Sequence, residues 1–431
     1  MKNILLLLTA APLLLHAAVI YETDFTSADG WTPWKIAKDS LRFDQSGFSV
    51  ELKQRNNGFS GIRREIPVES GCGYLKLSAT FSADKVLPGR QGPKIQAMLQ
   101  FSGKTEYPGV KTPAGSYPER RAEKVFFCDG KLRKLFLNVG LQETAGKFHL
   151  RNLRLEQLGV PLDLSPVADR LLNDDVAGDG KGGWSDQGPL QDGRKFRELV
   201  WKGPLFSGVP FRVKVEEKCV LAMHSPNLPN GRKSAVVSAP AGCANPRYLY
   251  LLHTLAWAPG EKREIGSVSV SYENRKTVEI PIVNQVDTAD WFSVYNCSNA
   301  IPQKVNTPNG GNALYVSRHL LKPEFGKIRQ VEFRAGSSDA IWLILGATLS
   351  DRTIKFPEPP KPVTIQAGPR WLPVAREELN RREKGCAGSL RLPSAGPRGE
   401  IRAGHCQRFR QAGVRTEAGD GGTVLHRKLC L

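Results

Sequence analysis

The sequence predicts an all-β protein: two antiparallel, jelly-roll-like β-sandwiches in tandem, followed by a proline-rich linker and a disordered tail. Three observations carry this reading. Short runs of period-two apolar/polar alternation recur between residues 19 and 349, separated by turn-forming residues, the pattern of half-buried antiparallel strands. No helical period of useful length appears in the first of the two modules. After Gly385 the patterning stops altogether.

In chain order, residues 1–18 read as a secretory signal. Lys2 is a short basic start, Ile4 to Leu15 is an apolar run, and Ala17 and Ala18 offer small residues for cleavage. That run is too short to span a bilayer, and no later stretch approaches the ~20 apolar residues a membrane helix needs. The expected location is therefore secreted, periplasmic or cell-surface, with no transmembrane segment.

Residues 19–158 form the first module. Its alternating runs include Phe48 to Lys53, Tyr74 to Phe81, Ile95 to Phe101, Lys134 to Val139 and Lys147 to Glu156. Pro161 to Pro166 reads as a short linker, and residues 162–349 as the second module. Its strands are expected at Phe211 to Val215, Ser234 to Val237, Tyr248 to His253, Ile265 to Tyr272, Thr277 to Val283 and Ala340 to Leu345, with a hairpin turn at Glu273-Asn274-Arg275. Residues 350–385 are a linker whose Pro357-Glu358-Pro359-Pro360-Lys361-Pro362 forms a stiff extended spacer. Residues 386–431 hold eight basic and three acidic residues and three cysteines among glycines and alanines. They suit a disordered basic tail or an out-of-frame translation.

The eight cysteines contain no CxxC pair, which removes zinc-ribbon and thioredoxin-like readings. Cys72–Cys128 and Cys219–Cys243 are disulfide candidates in an oxidising compartment, with buried free thiols as the alternative. The net charge of +19 would point to nucleic acid in a cytosolic protein. For an exported one it points to an acidic polysaccharide or an anionic cell surface, and a solvated basic surface without a partner is the plainer alternative.

The candidate site residues cluster in the loop Asp174 to Gly188, with five glycines, four aspartates and Trp184. Aromatic faces bury the apolar C–H surface of sugars while neighbouring polar groups fix orientation. Trp184, Asp186, Gln187 and Trp291 are accordingly the expected carbohydrate-binding residues. Trp257 ends an apolar strand and is expected in the core, as is a hydrogen-bonded His253. Asp174, Asp175 and Asp179 could furnish a structural calcium site, although the spacing is not that of an EF-hand and turn or capping roles compete. A phosphate loop is excluded because Lys181 is followed by Gly182 and Gly183. No catalytic residues are assigned. Glu216-Glu217 and Glu377-Glu378 are adjacent pairs, which on a strand face opposite sides, whereas a glycosidase needs two carboxyls across one cleft.

The second module resembles the galactose-binding-like, carbohydrate-binding-module-like β-sandwiches that accompany secreted bacterial glycoside hydrolases. The resemblance rests on Gly178 to Gly188, Phe206 to Phe211, Leu251 to Trp257, Ile280 to Asn284 and Asp290-Trp291. It implies a non-catalytic polysaccharide-binding role tied to polysaccharide degradation. In such proteins a segment like Trp371 to Gly385 leads into a catalytic barrel, and no barrel follows here. A truncated or frameshifted glycoside hydrolase is therefore one alternative, and a structural cell-surface interaction module another.

Overall fold

The computed structural model describes residues 18–68, 72–129, 131–240, 245–306, 311–354 and 356. Residues 1–17 of the expected signal, Cys243, nearly all of the proline-rich linker and the whole tail lie outside the described residues. Among the described residues there is one short α-helix, α1 (Arg197–Trp201). No helix there is long and apolar enough to cross a membrane.

The first sandwich uses β1 (Ala18–Thr23), β2 (Thr32–Trp34), β3 (Leu41–Asp44), β4 (Gly47–Leu52), β5 (Phe59–Ile66) and β6 (Gly73–Val86). It continues with β7 (Pro93–Gln100), β8 (Thr105–Glu106), β9 (Gly115–Cys128), β10 (Lys134–Gln142) and β11 (Gly146–Pro161). One sheet runs β2-β5-β10-β7-β8, and the facing one is built around β11. Alternation does what the pattern requires: Leu135, Leu137, Val139 and Leu141 of β10 point into a core shared with Phe48, Leu75, Leu77 and Phe148. Phe136, Asn138 and Gly140 alternate with them and so share the other face.

β11 organises the chain. It pairs with β6 along most of its length, with β4 through residues 146–150 and with β1 through 153–157. At its end Val160 and Pro161 pair with Leu349 and Thr348 of β22 (Ile341–Ser350), and the Leu162 N–H donates to the Ala347 carbonyl at 2.9 Å. The stretch expected as a linker thus begins inside a strand, because its backbone groups find partners on β22.

The second sandwich adds β12 (Leu205–Phe206), β13 (Val209–Pro210), β14 (Leu221–Ala222), β15 (Ser234–Ser238), β16 (Tyr248–Ala256) and β17 (Glu264–Tyr272). β18 (Thr277–Val283), β19 (Ala300–Val305), β20 (Asn312–Leu320) and β21 (Ile328–Ala335) complete it together with β22. The sheet β19-β20-β16-β22 faces the sheet β15-β21-β17-β18, and every strand ladder in both is antiparallel.

The β16–β22 sheet is buried on both faces. Leu249, Leu251, Leu255 and Trp342 pack towards Val268, Val270 and Phe333 of the opposing sheet. Tyr250, Leu252, Leu343 and Leu345 pack against a layer of loops and α1 that contributes Leu172, Trp184, Phe196 and Phe211. A strand with two dry faces has no polar position to alternate, so Tyr248 to Ala256 reads as a nearly continuous apolar run.

His253 is the polar exception in that run, and its bonding is complete. The Trp342 Nε1–H donates to Nδ1 at 2.9 Å, which leaves Nε2 protonated towards the Asp287 carbonyl at 3.0 Å and Ser317 Oγ at 2.9 Å. Burial, reinforced by nearby His319, pushes its pKa down to about 3. It is a neutral core histidine, as the sequence suggested.

Candidate functional site

The glycine- and aspartate-rich loop is part of the covering layer of the second core. Trp184 is 0% exposed and packs on Phe196 and edge-on to Trp291, with ring centroids 5.6 and 5.9 Å away. Its seat depends on Gly193, where a Cβ would come within 2.5 Å of the indole. A wholly buried indole has no face for a ligand. The expected stacking role of Trp184 is therefore replaced by core packing: the face of β16 above it needed an apolar plug of this size.

Three of the four aspartates bond within their own loop. Asp174 accepts the Gly188 N–H at 3.1 Å, Asp186 accepts the Gly180 N–H at 3.1 Å and Asp179 accepts the Lys181 N–H at 2.9 Å. Asp175 is exposed and lies 3.6 Å from Arg194. Burial raises the Asp174 carboxyl above its ordinary range, with Asp186 and Asp179 adding to the effect. Among the described residues no three His, Cys, Asp or Glu side chains converge so as to hold a metal ion. Closing the glycine-rich loop engages Asp174 and Asp179 separately, and Asp175 stays at the surface beside Arg194.

Beside this layer lies a cavity of about 610 Å³, bordered by Gln187 and Gln191, the turn Trp257 to Gly260, Asn284 and Gln285, and the segment Ala289 to Ser293 with Tyr295. Of the expected carbohydrate-binding residues, Gln187 and Trp291 border it, and Trp184 and Asp186 do not. Trp291 is only 2% exposed and contributes to the wall. The exposed rings are Trp257 at 57%, Phe292 at 45% and Tyr295 at 40%.

The sequence reading assigned Trp257 to the core, and the reversal has a local cause. β16 ends at Ala256, and Trp257 has a φ of +57°, a left-handed conformation that turns the chain out of the strand. That costs an L-residue roughly 1–2 kcal/mol, and such strain collects where a side chain must be presented in a set direction.

The loops that carry the rings are pinned. Asp290 accepts the Ala258 N–H through Oδ2 at 3.1 Å and the Phe292 N–H through Oδ1 at 2.9 Å, so one carboxylate joins both aromatic turns. Burial raises this carboxyl above its ordinary range. The Tyr315 hydroxyl accepts the Tyr295 N–H at 3.1 Å and donates to the Ser293 carbonyl at 3.0 Å. Asn284 donates through Nδ2 to the Pro259 and Glu261 carbonyls at 2.7 and 2.8 Å, holding the turn after Trp257. Asp290 is the one carboxylate among the lining residues, and both its oxygens are already engaged. The arrangement suits recognition by ring stacking and amide hydrogen bonds, and it lacks the facing carboxyl pair of glycoside hydrolysis.

A second aromatic surface lies on the outward face of the first sandwich. Register puts Trp34, Gly61 and Gly140 in one row across β2, β5 and β10, and Thr32, Arg63, Asn138 and Gln96 in the next. The two glycines leave a floor without side chains. Their strands approach so closely there that a Cβ on Gly140 would come within 2.2 Å of the Ser60 carbonyl. Arg63 stacks 3.9 Å from the centroid of the partly exposed Trp34 ring and donates to Asn138 Oδ1 at 2.9 Å. Trp34 was legible in the sequence, but nothing local tied it to Arg63 and Asn138, far away in the chain. A cleft of about 650 Å³ on the opposite sheet is lined by Asp44, Glu51, Asp84 and Glu119 with Arg42, Lys147 and His149, and offers no exposed ring.

No family model matches this chain, and no curated protein matches it. Solved structures do. The xylanase 10B CBM22-1–GH10 modules of Clostridium thermocellum, complexed with xylohexaose, are 11% identical, with a TM-score of 0.27 over 33% of this chain and 29% of that one. The C-terminal family 22 carbohydrate-binding module of the same xylanase is 14% identical, with a TM-score of 0.25 over 33% of this chain and 95% of that one. The N-terminal CBM22-1–CBM22-2 tandem of Paenibacillus barcinonensis Xyn10C is 10% identical, with a TM-score of 0.29 over 79% of this chain and 99% of that one.

Proposed function

We propose that this chain is an exported, non-catalytic carbohydrate-binding protein that works alongside polysaccharide degradation. One observation carries the reading: Trp257, Phe292 and Tyr295 present three exposed rings around a single cavity, on turns fixed by Asp290, Asn284 and Tyr315. Rings held in this way stack on sugar C–H faces without paying to become ordered, and Gln187, Gln191 and Gln285 supply amide groups for hydroxyls. The outward face around Trp34 and Arg63, whose guanidinium is anchored by the buried Asn138, is a second binding surface. Its guanidinium, together with the net charge of +19, favours polysaccharides that carry carboxylates.

Affinity electrophoresis of the full chain against neutral and acidic polysaccharides tests the proposal. Retardation by at least one of them is expected, and Trp257→Ala should weaken it. Unchanged mobility across the panel would sink the reading.

A further inference from the structure

β9 ends at Cys128, whose register partner on β6 is Gly73. Simple alternation would place Cys72, the residue before Gly73, on the opposite face of the sheet from Cys128. Gly73 instead has a φ of +66° and turns the chain back, and Cys72 is buried in the same core cluster as Cys128. Only glycine fits at this corner, because a Cβ would lie 2.5 Å from the Gly159 carbonyl. Both are buried free thiols in this structure, and the neighbouring Cys72, with burial, pushes the Cys128 thiol above its ordinary value. Cys219 and Cys297 belong to other clusters of the protein and do not compete for either.

The pair sits at the joint between the sandwiches. The Cys72 carbonyl accepts from Gln157 Nε2 at 2.9 Å, and the next residues of β11 pair first with Tyr74 and then with β22. Tyr74 stacks on Phe127 at 4.9 Å, and Arg212 of the second sandwich lies 5.3 Å from the Phe127 ring.

We propose that Cys72 and Cys128 are a disulfide-forming site, and that the cross-link locks the β6–β9 corner where β11 passes from one sandwich to the other. The oxidant is a disulfide, either a low-molecular-weight one or that of a thiol oxidase. One cysteine thiolate attacks it, forms a mixed disulfide and releases one thiol. The second cysteine thiolate then attacks the protein sulfur and releases the other. Two protein S–H groups become one S–S bond, and the oxidant takes up two electrons and two protons as two thiols. In the finished fold the neighbouring Cys72 and burial hold the Cys128 thiol protonated, so exchange belongs to the stage at which the strands are still closing.

The test is to unfold and reduce the full chain, refold it in oxidised and reduced glutathione, block free thiols and map the peptides. A Cys72–Cys128 cross-linked peptide is expected as the dominant species, with a Tm that falls by at least about 5 °C on full reduction. The Cys72→Ala/Cys128→Ala variant should melt like the reduced protein and ignore reductant. Recovery of both residues as free thiols, as glutathione adducts or paired elsewhere would overturn the proposal, and mapping of the unaltered chain decides the matter even if the variant misfolds. Refolding in vitro keeps this result independent of whether the chain is exported.

Discussion

Replacing Trp257 by alanine separates a binding role from a packing role. The residue is 57% exposed, so somewhat under half of a side chain that can bury up to about 250 Å² is removed from water. At ~25 cal/mol per Å² the stability at stake is at most about 2.7 kcal/mol, and less against a realistic unfolded chain. A stacking ring at the centre of a ligand site is worth about 2 kcal/mol or more, which is about a thirty-fold rise in Kd. Trp184→Ala is the counterpart. That ring is fully buried, so its loss should cost about 3–5 kcal/mol of stability while the protein that remains folded binds with its original Kd. Calorimetric titration with a retarding oligosaccharide, alongside thermal melts, reads both quantities. The reasoning fails if Trp184→Ala weakens binding in fully folded protein, or if Trp257→Ala leaves Kd unchanged.

Three further outcomes follow from the geometry. Asp290→Ala should leave the Ala258 and Phe292 N–H groups without their acceptor and cost roughly 2–4 kcal/mol, with a loss of affinity in the same variant; melts and titration check it, and an unperturbed Kd would show that the carboxylate does not shape the site. Gly140→Ala should lower stability by about 3 kcal/mol or more, because its Cβ would meet the Ser60 carbonyl at 2.2 Å and the Gly61 Cα at 2.7 Å; a denaturant midpoint close to that of the parent would contradict it. The third concerns pH. His253 is held neutral, with its pKa moved from 6.5 down to about 3, so the unfolded chain takes up a proton that the folded one refuses. Its stability contribution is complete above pH 6.5 and is lost as pH falls towards 3, amounting to about 2 kcal/mol by pH 5. Buried His319, its pKa pushed down to about 4, adds a slope of similar size, so denaturant melts between pH 7 and pH 4 should show the sum and His253→Gln should remove about half of it.

Sequence alone determined the architecture, because a half-buried strand imposes period two on its own residues and that signature is local. The runs at Phe48, Tyr74, Lys134 and Thr277 all begin or lie in strands, and the expected strand at Tyr248 to His253 lies within β16. Tertiary structure decided which aromatic residues meet solvent. Trp184 lies in a polar, glycine-rich loop and is buried because the outer face of β16 requires a cover. Trp257 follows the apolar strand β16 and is exposed because its own left-handed conformation turns it away. The same holds for the aspartates, whose oxygens were free to be read as ligands until the loop closed on them one N–H at a time. Alternation records the side of a sheet a residue occupies, and it carries no record of what the fold later lays on top of that side.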